Sequence, residues 1–588
     1  MSLLDLASLV LSPTATKEGK VYSAIPDTGD GDMTFSRGTE ATRVNSAGLI
    51  EKARTNLLLQ SNTFDTTWTQ TNVSVTGGQT GYDGSSDAWL VDISASFAQV
   101  EQNISTSGVI TYSVYAKAGT LGFVRLRLDA STNAYADFDL SSGTAGTTSG
   151  IITTSSTSLA DGWYRLSLVT NASSATKARI YPIQADNDLT ATSGNILIQD
   201  AQLEQGLVST DVITTTTSSV TVGITDDLPR VDYSGGGCPS LLLEGSRTNL
   251  ITQSEYLDAW TKSGCTIANN ESTSPEGVDN ASKFIASSGL SVKIAYQIIS
   301  STNSVAHTVS AFYKSDEYNY AFLRVGGQSP SPYVIYNLSN QSIVSTANAT
   351  STKIEDYGSG WYRVSVTYTA NNTTNAVNVS FLPTSGYSLD SVNQPSYNGD
   401  GSSGGYVYGV QLESSASYVS SYLPSYGTST SRSADSCSLT GASNLIDSTE
   451  GTIYLQSNSA DSDVGTYSYF MTLSDGTSNN RLEIRQSGSE VQFLWRVGGT
   501  YQNNIITSGI DITQSFKLAL KYSSDAIKMF FNGSLVNTLS SPTLYSANTL
   551  NRFGFDDGSG GDKFQGESKE LVLFPTALSD DQCIALTK

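Results

Sequence analysis

Hydrophobic and polar residues alternate along most of this chain in short runs. Runs such as YSVYAKA (112–118), FVRLRLDA (123–130) and WYRLSLVT (163–170) are rich in β-branched and aromatic residues, a pattern typical of half-buried strands. Clusters of glycine, serine, asparagine and aspartate such as SSGTAGTTSG (141–150) separate the runs and indicate turns. Many short strands joined in this way predict an all-β protein built from tandem β-sandwiches of the jelly-roll kind.

A second pattern is a long internal repeat, which reveals architecture that local periodicity hides. The motif RTNL occurs at 54–57 and again at 247–250, a separation of 193 residues. The motif QLE occurs at 202–204 and 411–413, a separation of 209 residues. Because the separation grows while the order of motifs is kept, we predict a duplicated domain with loop insertions in the second copy.

These observations divide the chain into five parts. We predict a short N-terminal attachment segment, a first sandwich, a connector, a second sandwich and a third sandwich of different texture, at residues 1–52, 53–215, 216–245, 246–430 and 436–588. Near the end, TALSDDQCIALTK predicts a short helix with Ser579 as its N-cap and two aspartates in its first turn.

Charge narrows the set of partners. The chain carries 54 acidic and 32 basic residues, for a net charge of −22, and such a surface repels nucleic-acid phosphates. No apolar stretch reaches the 18 residues that suggest a membrane span. Residues 3–11 are mildly apolar but lack a basic flank and contain Asp5, so a secretory signal is not expected. We therefore predict no nucleic-acid partner and no membrane partner.

Candidate chemistry is sparse. The only histidine, His307, lies in an alternating strand-like stretch, where a structural role is expected, and a Ser-His-Asp or Cys-His arrangement would depend on it alone. The four cysteines are far apart and form no CxxC pair, which excludes a zinc knuckle. We predict no enzyme, no catalytic residue and no metal site.

Several motifs resemble known families. The series YSVYAKAG, DGWYRLSL and IQDAQLEQG resembles the carbohydrate-binding-module type of jelly roll, which occurs in phage structural proteins and in glycan-degrading enzymes. In the third sandwich, SDAIKMFFNGSLVNT (524–538) resembles laminin-G or concanavalin-type domains. The segments at 34–51, 228–250 and 422–435 resemble connectors of phage head or tail appendage proteins.

These resemblances imply a structural virion protein of a bacteriophage, projecting from head or tail as a head fibre, a capsid decoration or a tail fibre. They imply attachment to other virion proteins through the N-terminal region, assembly in the host cytoplasm, a homo-oligomer of trimeric form, and weak, multivalent contact with host glycans. Two alternatives remain open: a tailspike that depolymerises polysaccharide, and a bacterial surface adhesin.

Five tyrosines are the candidate glycan-binding residues, because each lies beside a loop and differs between the two copies: Tyr318, Tyr320, Tyr387, Tyr397 and Tyr501. A tyrosine ring can stack on the apolar face of a sugar while nearby polar groups bind hydroxyls. The alternative is that these rings line a subunit contact. The tryptophans at equivalent positions of the two copies are expected to fill the cores instead; Trp163 and Trp361 are one such pair.

Cofactors are not expected, with one exception that follows from the laminin-G resemblance. Such sandwiches often hold calcium, which binds several hard oxygen ligands. The run FDDGSGGD places Asp556 and Asp557 next to each other, and we predict calcium near this pair if the site exists.

Overall fold

The computed structural model describes residues 3–462, 464, 467–507 and 509–588, with side chains for all of these except 12 and 503–507. Residues 1 and 2 of the predicted N-terminal segment lie outside the described residues. Strands dominate throughout, which confirms the predicted all-β class of tandem sandwiches. The described α-helix, α1 (Asp580–Thr587), begins as predicted at Ser579, whose side chain accepts a hydrogen bond from the backbone N–H of Gln582. Short 3-10 turns cover Leu3–Leu6, Ala160–Gly162 and Leu257–Ala259.

The N-terminal segment and the first sandwich contain the following strands. The segment has β1 (Leu9–Lys17), β2 (Lys20–Ile25), β3 (Met33–Ser36), β4 (Thr42–Val44) and β5 (Ile50–Lys52). The first sandwich has β6 (Arg54–Asn56), β7 (Thr69–Thr71), β8 (Val73–Gln79), β9 (Ala88–Ile93), β10 (Gln99–Ala118), β11 (Phe123–Ala130), β12 (Ala134–Asp139), β13 (Ala145–Ser149), β14 (Thr153–Ser158), β15 (Trp163–Ile183), β16 (Gly194–Gln205) and β17 (Val220–Val222).

The connector and the second sandwich follow. The connector has β18 (Arg230–Asp232) and β19 (Ser240–Leu243). The second sandwich has β20 (Arg247–Asn249), β21 (Thr261–Ser263), β22 (Cys265–Ser272), β23 (Ala281–Ala286), β24 (Gly289–Val292), β25 (Ile294–Ser300), β26 (Ala306–Ser315), β27 (Tyr320–Gly326), β28 (Tyr333–Asn337), β29 (Ser342–Ala347), β30 (Ser351–Asp356), β31 (Trp361–Thr369), β32 (Thr374–Leu382), β33 (Tyr387–Leu389), β34 (Pro395–Gly399), β35 (Gly404–Ser414) and β36 (Thr430–Arg432).

The third sandwich completes the chain with strands that precede α1. They are β37 (Ser436–Thr440), β38 (Gly451–Ser459), β39 (Ser468–Ser474), β40 (Arg481–Ser487), β41 (Glu490–Val497), β42 (Thr500–Thr507), β43 (Phe516–Tyr522), β44 (Ala526–Phe531), β45 (Ser534–Ser540), β46 (Arg552–Gly554) and β47 (Gly566–Phe574).

The two copies of the repeat share one strand order. In the first, the long strands β10 and β15 pair along most of their length, and β10 also pairs with β16. In the second, β26 pairs with β31 and β35, while β25 pairs with β32. The second copy therefore divides each of these long strands in two, and its strands form an 8-stranded sheet, a 6-stranded sheet and a small sheet of three strands. Each copy encloses its own core of buried aliphatic and aromatic residues.

The repeated RTNL motif has the same surroundings in both copies. Strand β6 pairs with β17 in the first copy, and β20 pairs with β36 in the second. The side-chain amide of Asn56 donates to the carbonyls of Ala201 and Ile213. In the same way, the side-chain amide of Asn249 donates to the carbonyls of Val410 and Leu423. The motif is therefore a structural clamp that joins the first strand of each copy to its last turns.

The N-terminal segment, predicted as an attachment segment at residues 1–52, pairs with strands from the other end of the chain. Strand β1 pairs with β47, with Leu9 opposite Leu573, and β3 pairs with β37. Connector strand β19 also pairs with β47. The apolar side chains of Leu9, Met33 and Phe35 are buried in the core of the third sandwich. The hydrophobic pattern of the first strands is thus satisfied by the opposite end of the chain.

A buried ionic cluster joins the three segments that resemble connectors. Asp435 forms ion pairs with Arg37 and Arg230, and Glu244 forms ion pairs with Arg230 and Arg432. All five side chains are nearly inaccessible to solvent. The two arginines hold the pKa of Glu244 well below its usual value against the effect of burial. We call this set, Arg37, Arg230, Glu244, Arg432 and Asp435, the junction cluster.

Candidate functional site

An inserted hairpin distinguishes the second sandwich from the first. The stretch from Trp361 to Glu413 is 11 residues longer than the stretch from Trp163 to Glu204. In the second copy this stretch includes the hairpin of β33 and β34, and β34 also pairs with β24. The hairpin lies over one face of the sheet β21-β25-β32-β27-β28-β29. The separation between repeat motifs is therefore larger in this part of the second copy because the β33–β34 hairpin is inserted there.

Four of the five predicted tyrosines come together at this hairpin. The ring centroids of Tyr318 and Tyr397 are 5.8 Å apart, and those of Tyr320 and Tyr387 are 6.4 Å apart, both in edge-to-face geometry. Tyr387 and Tyr397 lie opposite each other on β33 and β34. Tyr318, Tyr320 and Tyr387 are half-buried. We call these three the tyrosine surface.

Tyr397, one of the five predicted glycan-binding tyrosines, is not available to a ligand. Its side chain is fully buried, and its hydroxyl donates to the carbonyl oxygen of Phe381 at 2.6 Å. Burial raises the pKa of this phenol strongly. The ring belongs to the core of the second sandwich and contacts Tyr318, so it presents no face to a ligand.

Polar side chains flank the tyrosine surface. The Asp400 carboxylate is exposed. It accepts hydrogen bonds from the hydroxyl of Ser403 and from the backbone N–H groups of Ser403 and Ser402, which lower its pKa. Burial and the nearby Asp400 raise the pKa of Tyr318. Glu317 accepts from the backbone of Gly404 and pairs with Lys283 at 3.0 Å. Half-buried rings beside exposed carboxylates match the way proteins bind sugars.

Tyr501 lies apart, in the third sandwich. Its side chain is 42% exposed, and the guanidinium of Arg496 lies 3.9 Å from its ring centroid. Its hydroxyl accepts a hydrogen bond from Arg481 at 3.4 Å. One face of the ring is thus covered by a cation, so Tyr501 is an isolated aromatic and not part of the tyrosine surface.

An open groove, which the sequence analysis did not single out, lies on the same sheet beside the hairpin. Its volume is about 340 Å³, and its lining includes Tyr296, Arg324, Gly326, Asn378 and Gln394. Arg324 is 3% exposed and contacts the hairpin by donating to the carbonyl of Val392. A strand-by-strand comparison of the two copies would have indicated this groove from the sequence.

Other candidate residues have structural roles. His307 is buried, with Nδ1 facing the carbonyl of Val305 and Nε2 bonded to Ser301; burial lowers its pKa. Trp163 and Trp361 are each 1% exposed and fill cores as predicted.

The predicted calcium position is occupied by protein contacts. The carboxylate of Asp556 is bound by the guanidinium of Arg552 and by the backbone N–H of Gly558. Asp557 accepts bonds from Ser559 and Gly561 in its own turn. Within the described part of the chain, no group of three or more acidic, histidine or cysteine side chains is arranged to hold a metal ion. Calcium near this pair stays a prediction, and Asp556 would have to leave Arg552 to bind it.

The fold and this surface define a multi-domain β-sandwich protein with an aromatic patch on its second sandwich. Residues 432–583 match the family described as the laminin G type of the concanavalin A-like lectin/glucanases superfamily, in agreement with the resemblance noted for the C-terminal region. No curated protein matches the sequence. In the described ranges, no helix has the length and apolar character that crossing a membrane requires.

Several solved structures share local topology with parts of the chain. The CBM40 of the Ruminococcus gnavus IT-sialidase bound to α2,3-sialyllactose is 19% identical over 24% of this chain and 83% of that chain, with a TM-score of 0.22. The binding domain of botulinum neurotoxin serotype G is 14% identical over 26% and 42%, with a TM-score of 0.20. Mouse laminin α1 domains LG4-5 are 11% identical over 48% and 88%, with a TM-score of 0.17. At these scores none of them bears on what this chain binds.

Proposed function

We propose that this chain is a non-catalytic structural protein of a bacteriophage particle that displays β-sandwiches outward and contacts host-surface glycans through the tyrosine surface. The observation that carries the glycan part is a cluster of rings at the hairpin. Tyr320 packs on Tyr387, Tyr318 packs on Tyr397 across from Tyr387, and Glu317 and Asp400 lie near Tyr318. These tyrosines come from two separate segments, and the edge-to-face contacts fix their rings. A surface held in place in this way loses little conformational entropy when a ligand binds.

The virion part rests on the connector resemblance together with the junction cluster. The three segments that resemble phage appendage connectors meet in one buried set of ion pairs. Ion pairs with no access to solvent restrict relative movement of the bodies that they join. A stiff, acidic, multi-sandwich body suits display on a particle, where many weakly binding copies together give firm attachment.

Attachment to other virion proteins is proposed for the N-terminal region. Because β1 and β3 are strands of the third sandwich's sheet, the docking surface would include that sandwich and not a free N-terminal arm. A homotrimer is proposed as the assembled form. Sedimentation equilibrium of the full chain measures this directly, and a monomer at micromolar concentration would contradict it.

Glycan contact is tested by applying the purified full chain, clustered on beads, to an array of bacterial surface glycans. We expect the variant Tyr318→Ala/Tyr387→Ala to lose about tenfold or more of the signal, because aromatic stacking is removed. Tyr135→Ala, a half-buried tyrosine of the first copy, is the matched control and is expected to bind like the wild type. Equal binding by the double variant would contradict the role of the tyrosine surface.

Virion location is tested separately by immunogold electron microscopy of intact particles. Label on capsid faces, vertices or tail supports the structural role and distinguishes head from tail. Particles that lack label while the protein accumulates elsewhere in infected cells would contradict it.

A further inference from the structure

In both sandwiches, three residues on three adjacent strands lie side by side in a row. The charges in this row differ between the two copies. In the first copy, Arg179 lies opposite both Glu101 and Arg127. Arg127 pairs with Asp129 at 2.8 Å, and Arg179 pairs with Asp129 at 2.6 Å and with Glu101 at 3.2 Å. The first copy thus neutralises both of its arginines with its own carboxylates.

The second copy keeps one arginine and has neither carboxylate. Its row consists of Tyr296, Asn378 and Arg324, joined by the same strand pairings. Tyr296 stands where the first copy has Glu101. Two residues after Arg324 comes Gly326, where the first copy has Asp129. Replacement of the carboxylates by a ring and a glycine leaves Arg324 without its ionic partners.

The hydrogen bonds of Arg324 are all to neutral groups. Its guanidinium donates to the carbonyl of Val392, to the side-chain oxygen of Asn378 and to the hydroxyl of Ser331. Among the described residues it forms no direct ion pair. Burial lowers the pKa of Arg324 to about 10, against the opposing effect of the nearby Asp390 carboxylate, so the group stays charged at neutral pH. A buried charge that contacts no carboxylate is unfavourable, and an anion in contact with it would be stabilised.

The open space beside Arg324 is the groove itself, which Arg324 and Gly326 both line. The guanidinium lies over Gly326, where an added Cβ would come within 2.7 Å of Nη1, so it fills the position that the Asp129 side chain occupies in the first copy. Four of the five N–H groups of an arginine are accounted for by the bonds above, which leaves one on Nη1. The groove of about 340 Å³ falls within the usual size of ligand pockets, about 300 to 1,000 Å³.

We infer that this groove binds an acidic saccharide, with a sugar carboxylate beside Nη1 of Arg324 and the ring of Tyr296 against the sugar. The side-chain amide of Gln394, on the hairpin, lines the same groove and is placed to bind a hydroxyl. This inference rests on the proposed glycan contact and names the class of glycan. The inserted hairpin would then also orient the arginine, because the carbonyl of Val392 accepts hydrogen bonds from the Arg324 guanidinium.

The test uses isothermal titration calorimetry of the full chain with two acidic probes, oligogalacturonate and hyaluronan oligosaccharide, and with neutral galacto-oligosaccharide of matched length. We expect at least one acidic probe to bind about tenfold or more tightly than the neutral one, and this preference to weaken as sodium chloride is raised. Equal affinity for acidic and neutral probes, or no binding of either acidic probe at millimolar concentration, would overturn the inference.

The decisive variant is Gly326→Asp, which restores the carboxylate of the first copy and supplies Arg324 with a partner from within the chain. Because the new Cβ would lie 2.7 Å from Nη1, the guanidinium has to shift to pair with the added carboxylate. We expect the variant to lose the acidic preference, and circular dichroism checks that it keeps its fold. Arg324→Gln should lose the preference as well, but it also removes buried hydrogen bonds. Arg127→Gln in the first copy is the matched control and is expected to bind acidic probes like the wild type. Undiminished acidic binding by Gly326→Asp would contradict the site.

The outcomes separate this inference from the proposed function. Binding of neutral glycans that depends on Tyr318 and Tyr387, without acidic preference, would leave the tyrosine surface standing and remove the groove. Acidic binding that is lost in Gly326→Asp but unaffected by Tyr318→Ala/Tyr387→Ala would establish the groove and remove the tyrosine surface.

Discussion

Gly108 of the first sandwich and Gly427, at the exit of the second, lie backbone against backbone. Gly108 has a φ of +90°, and the neighbouring N–H of Val109 donates to the carbonyl of Tyr426 at 2.9 Å. A Cβ on Gly427 would lie 3.0 Å from the Cα of Gly108, and one on Gly108 would overlap the Tyr426 carbonyl oxygen. Both positions need glycine, because no side chain fits between the two sandwiches.

Gly108→Ala is therefore expected to loosen this contact. The substitution adds steric overlap with Tyr426 to a positive φ that alanine adopts at a cost of about 1–3 kcal/mol. We expect a lower melting temperature and a larger radius of gyration by small-angle X-ray scattering. Gly122→Ala is the control, since nothing lies within 4 Å of a Cβ there. If the two variants behave alike, the glycine contact does not hold the sandwiches together.

Asp435→Asn tests the junction cluster. The substitution removes the negative charge that Arg37 and Arg230 share, and loss of one partner from a buried ion pair costs about 3–5 kcal/mol. We expect a much lower melting temperature and faster proteolysis in the connector segments. Glu355→Gln removes an exposed pair with Lys353 and should change stability by less than about 1 kcal/mol. Similar effects of the two substitutions would show that burial of the cluster contributes little.

The fold class could be predicted because strand alternation is local and the repeat is written twice. The partners of the first strands could not be predicted. Leu9 pairs with Leu573, and a strand with apolar positions on one face carries no information about which distant edge covers it. The same β1 pattern is equally consistent with a short attachment segment, which is the prediction made for residues 1–52.

The candidate site, too, could be predicted only in part from the sequence. Comparison of the copies selected Tyr318, Tyr320 and Tyr387. In the structure Tyr320 contacts Tyr387, and Tyr318 joins them through Tyr397, which lies opposite Tyr387. Tyr397 has the same flanking loop chemistry, yet its position on the inner side of the hairpin buries it. Arg324 was missed because its significance lies in the absence of a partner, which is visible only when strand register aligns Gly326 with Asp129.

Asn56→Ala and Asn249→Ala test whether the two copies use the RTNL motif in the same way. The Asn249 amide donates to the carbonyls of Val410 and Leu423, and its oxygen accepts from the N–H groups of Ile251 and Leu412. Asn56 makes the corresponding four bonds.

Truncation of either asparagine leaves several buried backbone groups unsatisfied, at about 1–3 kcal/mol for each such group. We expect each variant to lower the melting transition of its own sandwich, by similar amounts. Calorimetry resolves the transitions, and Asn398→Ala, on an exposed part of β34, is the control. A large effect in one copy and none in the other would contradict equivalence of the two clamps.

Asp200 predicts a pH dependence of stability in the first sandwich. Burial, opposed by the hydrogen bond from Tyr82, raises the pKa of this carboxyl to about 6. The folded state therefore holds a proton that the unfolded state has released above pH 3.8, so the contribution of Asp200 to stability is greatest below pH 3.8 and is lost as pH rises through 6. Asp200→Asn removes the titration, and Asn accommodates the φ of +47° at this position. We expect the variant to be more stable than the wild type at pH 7.5, by about 1 kcal/mol after allowance for partial exposure, and the difference to close towards pH 4.

Asp161→Asn, an exposed aspartate with a φ of +57°, controls for the backbone effect and should give the same small change at both pH values. A stability difference for Asp200→Asn that does not vary between pH 4 and pH 7.5 would show that the carboxyl does not titrate in this range.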